Sequence, residues 1–165
     1  LISFDPNLRL SLWKTPEEAR RRILYGMKQC DIMKISEEEV AFVSEQESLE
    51  KGVSFIRDNS DIKILFVTLG NKGSIAYYKD EKIYCGGIHQ EHVVDTTGAG
   101  DTFCGAVLNR ILELGTDALA EEDIREMLLF ANAAASIVVT RKGALCSMPE
   151  PEEIRAATSL IDKVL

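Results

Sequence analysis

The fold of this chain is decided by one run of β-forming residues, Ile62-Lys63-Ile64-Leu65-Phe66-Val67-Thr68. A strand with one wet face alternates between apolar and polar residues, whereas this run is nearly continuous in apolar ones. It therefore predicts a strand covered on both faces, as in the interior of a parallel sheet. Shorter strands are predicted at residues 1–5 and 31–35, and a pair at the sheet edge over residues 74–78 and 83–85.

Helix signals alternate with these strands. Thr15-Pro16-Glu17-Glu18 combines a capping threonine, an early proline and a capping-box glutamate, which predicts a helix to about Gln29. Ser36 and Ser44 each stand three residues before a glutamate, so helices are predicted to begin at both, the second running to about Arg57. Apolar spacing predicts three more helices, over residues 101–114, 121–140 and 152–165. This alternation favours an α/β layered fold with right-handed crossovers.

Composition limits the classes of function. The 165 residues predict a single α/β domain over residues 1–165, because single cores commonly occupy about 100 to 200 residues. The formal charge of −8 is the wrong sign for a nucleic-acid binder or a polybasic membrane anchor. No apolar run approaches the length of a membrane span, and the start does not resemble a signal peptide. We therefore expect a cytoplasmic protein without nucleic-acid or membrane partners.

The cysteines and histidines form no convincing metal motif. Cys30, Cys85, Cys104 and Cys146 are widely separated and include no CxxC pair, so we expect reduced thiols in the core. The two histidines, His89 and His92, have no nearby cysteine, which favours a surface or turn role over metal binding.

A loop of small residues carries the chemistry. Asp95-Thr96-Thr97-Gly98-Ala99-Gly100-Asp101-Thr102-Phe103 follows a predicted Val93-Val94 strand end and opens a helix. Small side chains leave the backbone N–H groups exposed, and the helix start adds a partial positive charge, so the loop predicts an anion site. It matches neither a Walker A loop nor GxGxxG. Asp101 is either the helix cap or a general base that takes a proton from an attacking hydroxyl.

These residues resemble a known family. The loop is similar to the C-terminal signature of the ribokinase-like (PfkB) carbohydrate kinases, and Phe4-Asp5-Pro6-Asn7-Leu8-Arg9 resembles their fructokinase branch. Residues 67–73 resemble the family's nucleotide-binding strand and turn, and residues 131–144 its late helix and loop. The resemblance implies an α/β ribokinase-like (Rossmann-like) three-layer fold, of which this chain is the C-terminal part, with a mainly parallel central sheet flanked by helices.

The resemblance also implies roles for individual residues. Asp101 would be the base, and the amides of Gly98, Ala99 and Gly100 would stabilise the transferred phosphoryl group of ATP. The residues around the ATP would be Thr68, Gly70, Lys72, Gly73, Asn132 and Ser36. Structural alternatives stay open for this set: Thr68 as a β-branched strand residue, the glycines as positions of positive φ, and Asn132 as a buried polar contact.

Two kinds of cation are implied. Many relatives hold a monovalent ion beside the anion loop, and potassium suits an oxygen-rich site of this kind. The matching positions are Asp95, Thr97, Val138, Arg141, Gly143 and Ser147. Magnesium is expected because ATP phosphates need a bridging cation. Relatives often carry Asn-x-x-Glu near it, where this chain has Ser36 and Glu39, a pair that equally makes a capping box.

The sugar side of the site is implied in less detail. Asp5, Asn7 and Arg9 match a family motif at a strand end, and Arg9 suits a phosphorylated product, with a surface ion pair as the alternative. Family members have roughly twice this many residues, so we expect a C-terminal half without the N-terminal half and lid, and a homodimer in the full-length form. Fructose is the expected sugar. The alternative sugars are ribose and 2-keto-3-deoxygluconate. The alternative function is that of a non-catalytic nucleotide-binding fragment.

Overall fold

The computed structural model describes residues 1–161, with side chains through residue 159, and the predicted helical residues beyond 161 lie outside that range. Within it, five strands form one sheet in the order β1 to β5. The strands are β1 Ser3–Phe4, β2 Ile32–Ser36, β3 Ile64–Thr68, β4 Gly73–Tyr78 and β5 Glu81–Gly86. β1, β2 and β3 are parallel. The links from β3 to β4 and from β4 to β5 are too short for parallel crossovers, so the sheet is mixed.

Helices connect the three parallel strands and follow the last strand of the sheet. The described part of the chain contains α1 Pro16–Met27, α2 Glu37–Ser44, α3 Leu49–Asp58, α4 Ala99–Leu114, α5 Glu121–Val138 and α6 Pro151–Ile161. Thr15 caps α1 by accepting the N–H of Glu18 at 3.1 Å. Ser36 forms the capping box of α2 with Glu39. Both predicted starts are confirmed. No helix in residues 1–161 has the length and apolarity needed to cross a membrane.

Two compact units make up the chain. The first comprises residues 1–69 and 76–81, and holds β1 to β3 with α1 to α3 around a core that includes Met33, Ile35 and Phe66. The second comprises residues 70–75 and those from Lys82 onward, and holds α4 to α6 around residues such as Phe103 and Leu128. That the whole chain acts as a single domain stays a prediction.

The predicted helix start at Ser44 is wrong. Ser44 is buried at the end of α2, where its hydroxyl donates to the carbonyl of Val40 at 2.7 Å. Glu45 then adopts a left-handed conformation with φ 57°, which ends the helix. Ser48 caps α3 instead, by accepting the N–H of Lys51 at 3.3 Å.

Two other expectations need correction. Val93 and Val94 end no strand; they are exposed, and the N–H of Val94 bonds the carbonyl of Val139 at 2.7 Å just beyond α5. Of the predicted edge pair, β5 is the edge strand, whereas β4 is buried along its whole length.

The cysteines also differ from the prediction of core thiols. None of the four forms a disulfide, but only Cys30 is buried, while Cys85 and Cys104 are half-buried and Cys146 is exposed. Burial raises the pKa of the Cys30 thiol to about 11.

Two glycines in helix interiors should respond oppositely to alanine. A Cβ on Gly52 would lie 2.5 Å from Val40, since α3 packs closely on α2, whereas one on Gly105 of α4 meets open space. We expect Gly52→Ala to destabilise by about 1–3 kcal/mol through overpacking. Gly105→Ala should stabilise by about 0.5–1 kcal/mol because alanine restricts the unfolded chain. Urea-unfolding midpoints measure both, and equal signs for the two variants would contradict the packing.

Candidate active site

The start of α4 exposes backbone N–H groups. Gly98 precedes the helix with φ 84°, in the left-handed region that favours glycine. A Cβ at this position would lie 3.2 Å from Cα of Ala144, so the turn also leaves little space for a side chain. No described side chain caps α4. The N–H of Ala99 donates to the carbonyl of Thr96 at 3.3 Å, whereas the N–H groups of Gly100 and Asp101 have no partner among the described residues. These groups can bind an anion.

Asp101 is the third residue of α4 and not its cap. Gly98 occupies the cap position, which removes the capping interpretation of Asp101. The Asp101 side chain is exposed and accepts no hydrogen bond from the described residues. At the same position of α5, by contrast, the carboxylate of Asp123 accepts the N–H of Ala120 at 2.9 Å. Asp101 is therefore a free carboxylate beside a helix start with open N–H groups.

Asp95 joins two loops of the second unit. One carboxylate oxygen accepts the N–H of Thr97 at 2.9 Å, and the other accepts the N–H of Gly143 at 3.2 Å. Hydrogen bonds from the side chain and backbone of Thr97, and then from Gly143, lower the pKa of Asp95. The carboxylate therefore fixes the loop before α4 against the loop after α5.

The residues predicted to hold a monovalent cation lie in these two loops, apart from Val138, which is the last residue of α5. Ser147 is buried, and its hydroxyl donates to the carbonyl of Gly143 at 2.5 Å. The carbonyl of Val138 accepts the N–H of Arg141 at 3.0 Å, and the Arg141 side chain donates to the carbonyl of Ser147 at 3.4 Å. With Asp95 and Thr97, the structure brings together one carboxylate, two hydroxyls and several carbonyl oxygens. These donors fit a potassium ion, whose ligands are oxygen atoms.

The predicted nucleotide turn is held by β5 and the residue that follows it. Gly70 and Gly73 have positive φ values of 61° and 106°. A Cβ on Gly73 would overlap the carbonyl of Cys85, so this position requires glycine. The carbonyl of Lys72 accepts the hydroxyl of Tyr84 at 2.7 Å and the N–H of Gly87 at 3.1 Å.

Asn132 lies buried in α5 and uses its whole side chain on protein partners. Its Oδ1 accepts the hydroxyl of Ser74 at 2.9 Å, and its Nδ2 donates to the carbonyls of Cys85 and Gly86, each at 3.2 Å. These bonds support the alternative of a buried polar contact that fixes α5 to the β4–β5 hairpin. A direct contact of Asn132 with ATP stays a prediction.

In the first unit, polar groups gather at the ends of the parallel strands. Thr68 and Ser36 are partners in the β2–β3 register, at the carboxyl ends of both strands. Asp5 and Asn7 follow β1, and the N–H of Asn7 bonds Oδ1 of Asp5 at 3.2 Å. Arg9 is exposed, and its guanidinium donates to the carbonyl of Leu8. The carboxyl ends of parallel strands are where α/β folds bind ligands.

Glu39 is buried, and both of its oxygen atoms already accept backbone N–H groups. Oε1 bonds the N–H of Leu8 at 2.6 Å, and Oε2 bonds that of Ser36 at 2.9 Å. No cluster of three His, Cys, Asp or Glu side chains suited to a metal occurs in residues 1–161. The described side chains near Glu39 thus offer magnesium few ligands, as is usual for an ion held mainly by ATP phosphates. The role of Glu39 in placing magnesium stays a prediction.

Lys34 was not identified from the sequence. It lies in the middle of β2 with 8% exposure, and its Nζ is 3.1 Å from Oδ2 of Asp5. Burial raises the pKa of Asp5, while the charge and hydrogen bond of Lys34 oppose that rise. The signal in the sequence is a single lysine within the apolar run Ile32–Ile35, because a charged residue in a doubly covered strand needs a buried partner.

Comparison with known proteins identifies the family. The sequence profile described as pfkB family carbohydrate kinase matches residues 2–151. Fructokinase-1 of Zea mays is 42% identical over 156 residues, which cover 93% of this chain and 47% of the maize protein. The chain thus spans about half the length of this relative. These matches confirm the resemblance drawn from residues 95–103 and 4–9.

Solved structures confirm the ribokinase-like α/β fold. A fructokinase double mutant from Vibrio cholerae O395, with fructose, ADP and potassium bound, superposes with a TM-score of 0.85 at 33% identity, covering 94% of this chain and 49% of that one. The ribokinase of Arabidopsis thaliana, complexed with ribose and ATP, gives a TM-score of 0.69 at 33% identity, over 82% of this chain and 43% of that one.

The link from Asp95 to Gly143 should depend on pH. Because the folded-state pKa of Asp95 is lowered, its contribution to stability is present above the usual carboxyl pKa and is lost as pH falls through the folded value. We expect Asp95→Asn to lower the urea midpoint at pH 7, and the difference from the unaltered protein to shrink below about pH 4. A difference that stays constant down to pH 3 would contradict the ionised link.

Proposed function

The chain belongs to the pfkB family of carbohydrate kinases, and we propose that it supplies the phosphoryl-transfer half of an ATP-dependent fructokinase. The observation that supports this most is the free, exposed carboxylate of Asp101 beside the unpartnered N–H groups that open α4. Phosphoryl transfer to a hydroxyl needs a base to take the proton and an adjacent anion site to hold the transferred group.

Asp101 takes the proton of the acceptor hydroxyl as that oxygen attacks the γ-phosphorus of ATP. The new oxygen–phosphorus bond forms while the bond to the leaving ADP breaks, so negative charge spreads over the transferred group. The open amide of Gly100 stabilises that charge together with the amides of Gly98 and Ala99, the last by exchanging its long bond to the Thr96 carbonyl. The positive end of the α4 dipole adds to this stabilisation. The acceptor is a sugar hydroxyl.

ATP is bound through the turn at Gly70, Lys72 and Gly73 and through Thr68. Magnesium bound with ATP would supply positive charge against the phosphate oxygens, and this chain would add few ligands to it. Potassium would be held by the oxygen atoms around Asp95, Gly143 and Ser147. The bond from the Gly143 N–H to Asp95 already joins the two loops, and the charge of the ion would help to order the start of α4 without touching the sugar.

Fructose is the acceptor that the relatives favour, since the Vibrio cholerae structure binds fructose and ADP. Asp5, Asn7 and Arg9 face the substrate side in this proposal, with Arg9 on the phosphorylated product. The Arabidopsis thaliana ribokinase binds ribose, so ribose is the second candidate. A homodimer of the full-length form and a cytoplasmic location stay predictions.

The alternative from another class is a nucleotide-binding fragment without catalysis. It predicts that the protein carrying this chain binds ATP in the presence of magnesium but forms no sugar phosphate. Kinase activity predicts transfer of label from γ-labelled ATP to fructose. Parallel assays with fructose, ribose and 2-keto-3-deoxygluconate identify which sugar is phosphorylated. A protein that only binds ATP would phosphorylate none of them.

Asp101→Asn should lower kcat/KM by about 100- to 10,000-fold, the usual contribution of a general base. Its stability should be nearly unchanged, because the carboxylate has no partner among the described residues. Asp123→Asn is the matched control at the same position of α5. It should keep full turnover and lose some stability, because a neutral amide accepts the Ala120 N–H more weakly than the Asp123 carboxylate does. Unchanged turnover in Asp101→Asn would refute the base assignment.

A further inference from the structure

Lys34 is a buried cation on the middle strand of the parallel part of the sheet. Its neighbours Met33 and Ile35 are fully buried, and it stands opposite Phe66 in the β2–β3 register. Its side chain is 9% exposed and that of Asp5 is 17% exposed. Removing two charges from water is costly, and such a pair persists only where geometry and additional hydrogen bonds compensate.

The partner of Lys34 begins a tightly held loop, Asp5–Arg9. Both oxygen atoms of Asp5 lie within hydrogen-bond range of Nζ of Lys34, at 3.4 and 3.1 Å. Oδ1 also accepts the N–H of Asn7, which adopts φ 43°. This left-handed conformation is uncommon for a residue with a side chain, although asparagine tolerates it better than most. Asp5 therefore stabilises the turn in which Asn7 adopts its left-handed conformation.

A second attachment follows one residue later. The N–H of Leu8 donates to Oε1 of Glu39 at 2.6 Å, and the other oxygen of Glu39 is fixed by the N–H of Ser36. The loop is thus held by β2 through Lys34 and by the start of α2 through Glu39. Arg9 is the next residue after these two attachments, and it is exposed.

We propose that Lys34 is a positioning residue, whose buried ion pair with Asp5 fixes the loop Asp5–Arg9 in the conformation that presents Asn7 and Arg9 to the sugar. The inference rests on the proposed sugar-kinase function for its kinetic consequence, but not for its structural one. Lys34 itself is buried and acts through Asp5. The charged groups that face Asp5 are Lys34 from β2 and Glu39 from α2, so loss of Lys34 leaves the Asp5 carboxylate facing only the like charge of Glu39.

Proteolysis tests the structural part in the intact protein. Trypsin cleaves after Arg9, and cleavage requires the loop to open locally. Lys34→Met keeps the length of the apolar stem and removes the charge. We expect cleavage between Arg9 and Leu10 to become at least about tenfold faster, because an uncompensated buried charge strongly favours the open loop. Mass spectrometry of the fragments identifies the bond that is cut.

Lys63→Met is the matched control. Lys63 pairs with Asp31 at 4.0 Å with both side chains substantially exposed, and exposed pairs contribute little to stability. It should be cleaved at the unaltered rate. If Lys34→Met does not fold, Lys34→Met combined with Asp5→Asn carries the test, since this double variant removes both charges of the pair and should still be cut faster after Arg9. Unaltered cleavage in the folded Lys34 variants would overturn the proposal.

Kinetics test the positioning itself. We expect Lys34→Met to raise the fructose KM about tenfold, with the ATP KM unchanged within about twofold, since one misplaced contact with a substrate costs about that factor. A purely structural role would lower the active fraction and hence kcat alone, and an unchanged fructose KM would therefore overturn the positioning role. If the unaltered protein has no kinase activity, the proposed function fails, whereas the cleavage comparison still decides whether Lys34 fixes the loop.

Discussion

The left-handed turn at Gly98 is the constraint on which the candidate active site depends. With φ 84° and a virtual Cβ 3.2 Å from Ala144, this position accepts a side chain only with strain. The turn lets α4 begin without a side-chain cap, which leaves N–H groups for an anion and frees Asp101 from capping. Asp95 holds the same turn from the other side through Thr97 and Gly143. A free carboxylate and free N–H groups therefore both follow from one backbone conformation.

In the first unit, the loop that follows the very short strand β1 is held by side chains. β1 has two residues, so ladder hydrogen bonds alone hold it weakly. The following loop is instead held by two charged partners. Asp5 forms an ion pair with Lys34, and the N–H of Leu8 donates to the carboxylate of Glu39. Buried charge is an expensive way to hold a loop, but it is directional. This suits a segment that must present particular side chains at a strand end.

Local rules predicted those elements whose signals act locally. Thr15 and Ser36 cap helices as their sequences indicate, and the apolar run to Thr68 forms a buried strand. The same serine rule failed at Ser44, because a buried hydroxyl bonded the carbonyl four residues back. Val93 and Val94 have strand propensity but pair with the residue after α5, a long-range contact that no local pattern contains. The Lys34–Asp5 pair spans 29 positions, so only the resulting fold brings it together. The family signature located the candidate site residues; the free carboxylate of Asp101 required coordinates.

The most direct test of the account concerns the amides at the start of α4. In the full-length protein, backbone amide resonances can be followed by NMR while ADP, magnesium, aluminium fluoride and fructose are added to mimic the transferred phosphoryl group. We expect large shifts and slowed hydrogen exchange at Gly98, Ala99 and Gly100, with little change at Gly115, a left-handed glycine at the other end of α4. Binding of the mimic without any response at these three amides would contradict the claim that they hold the phosphoryl group.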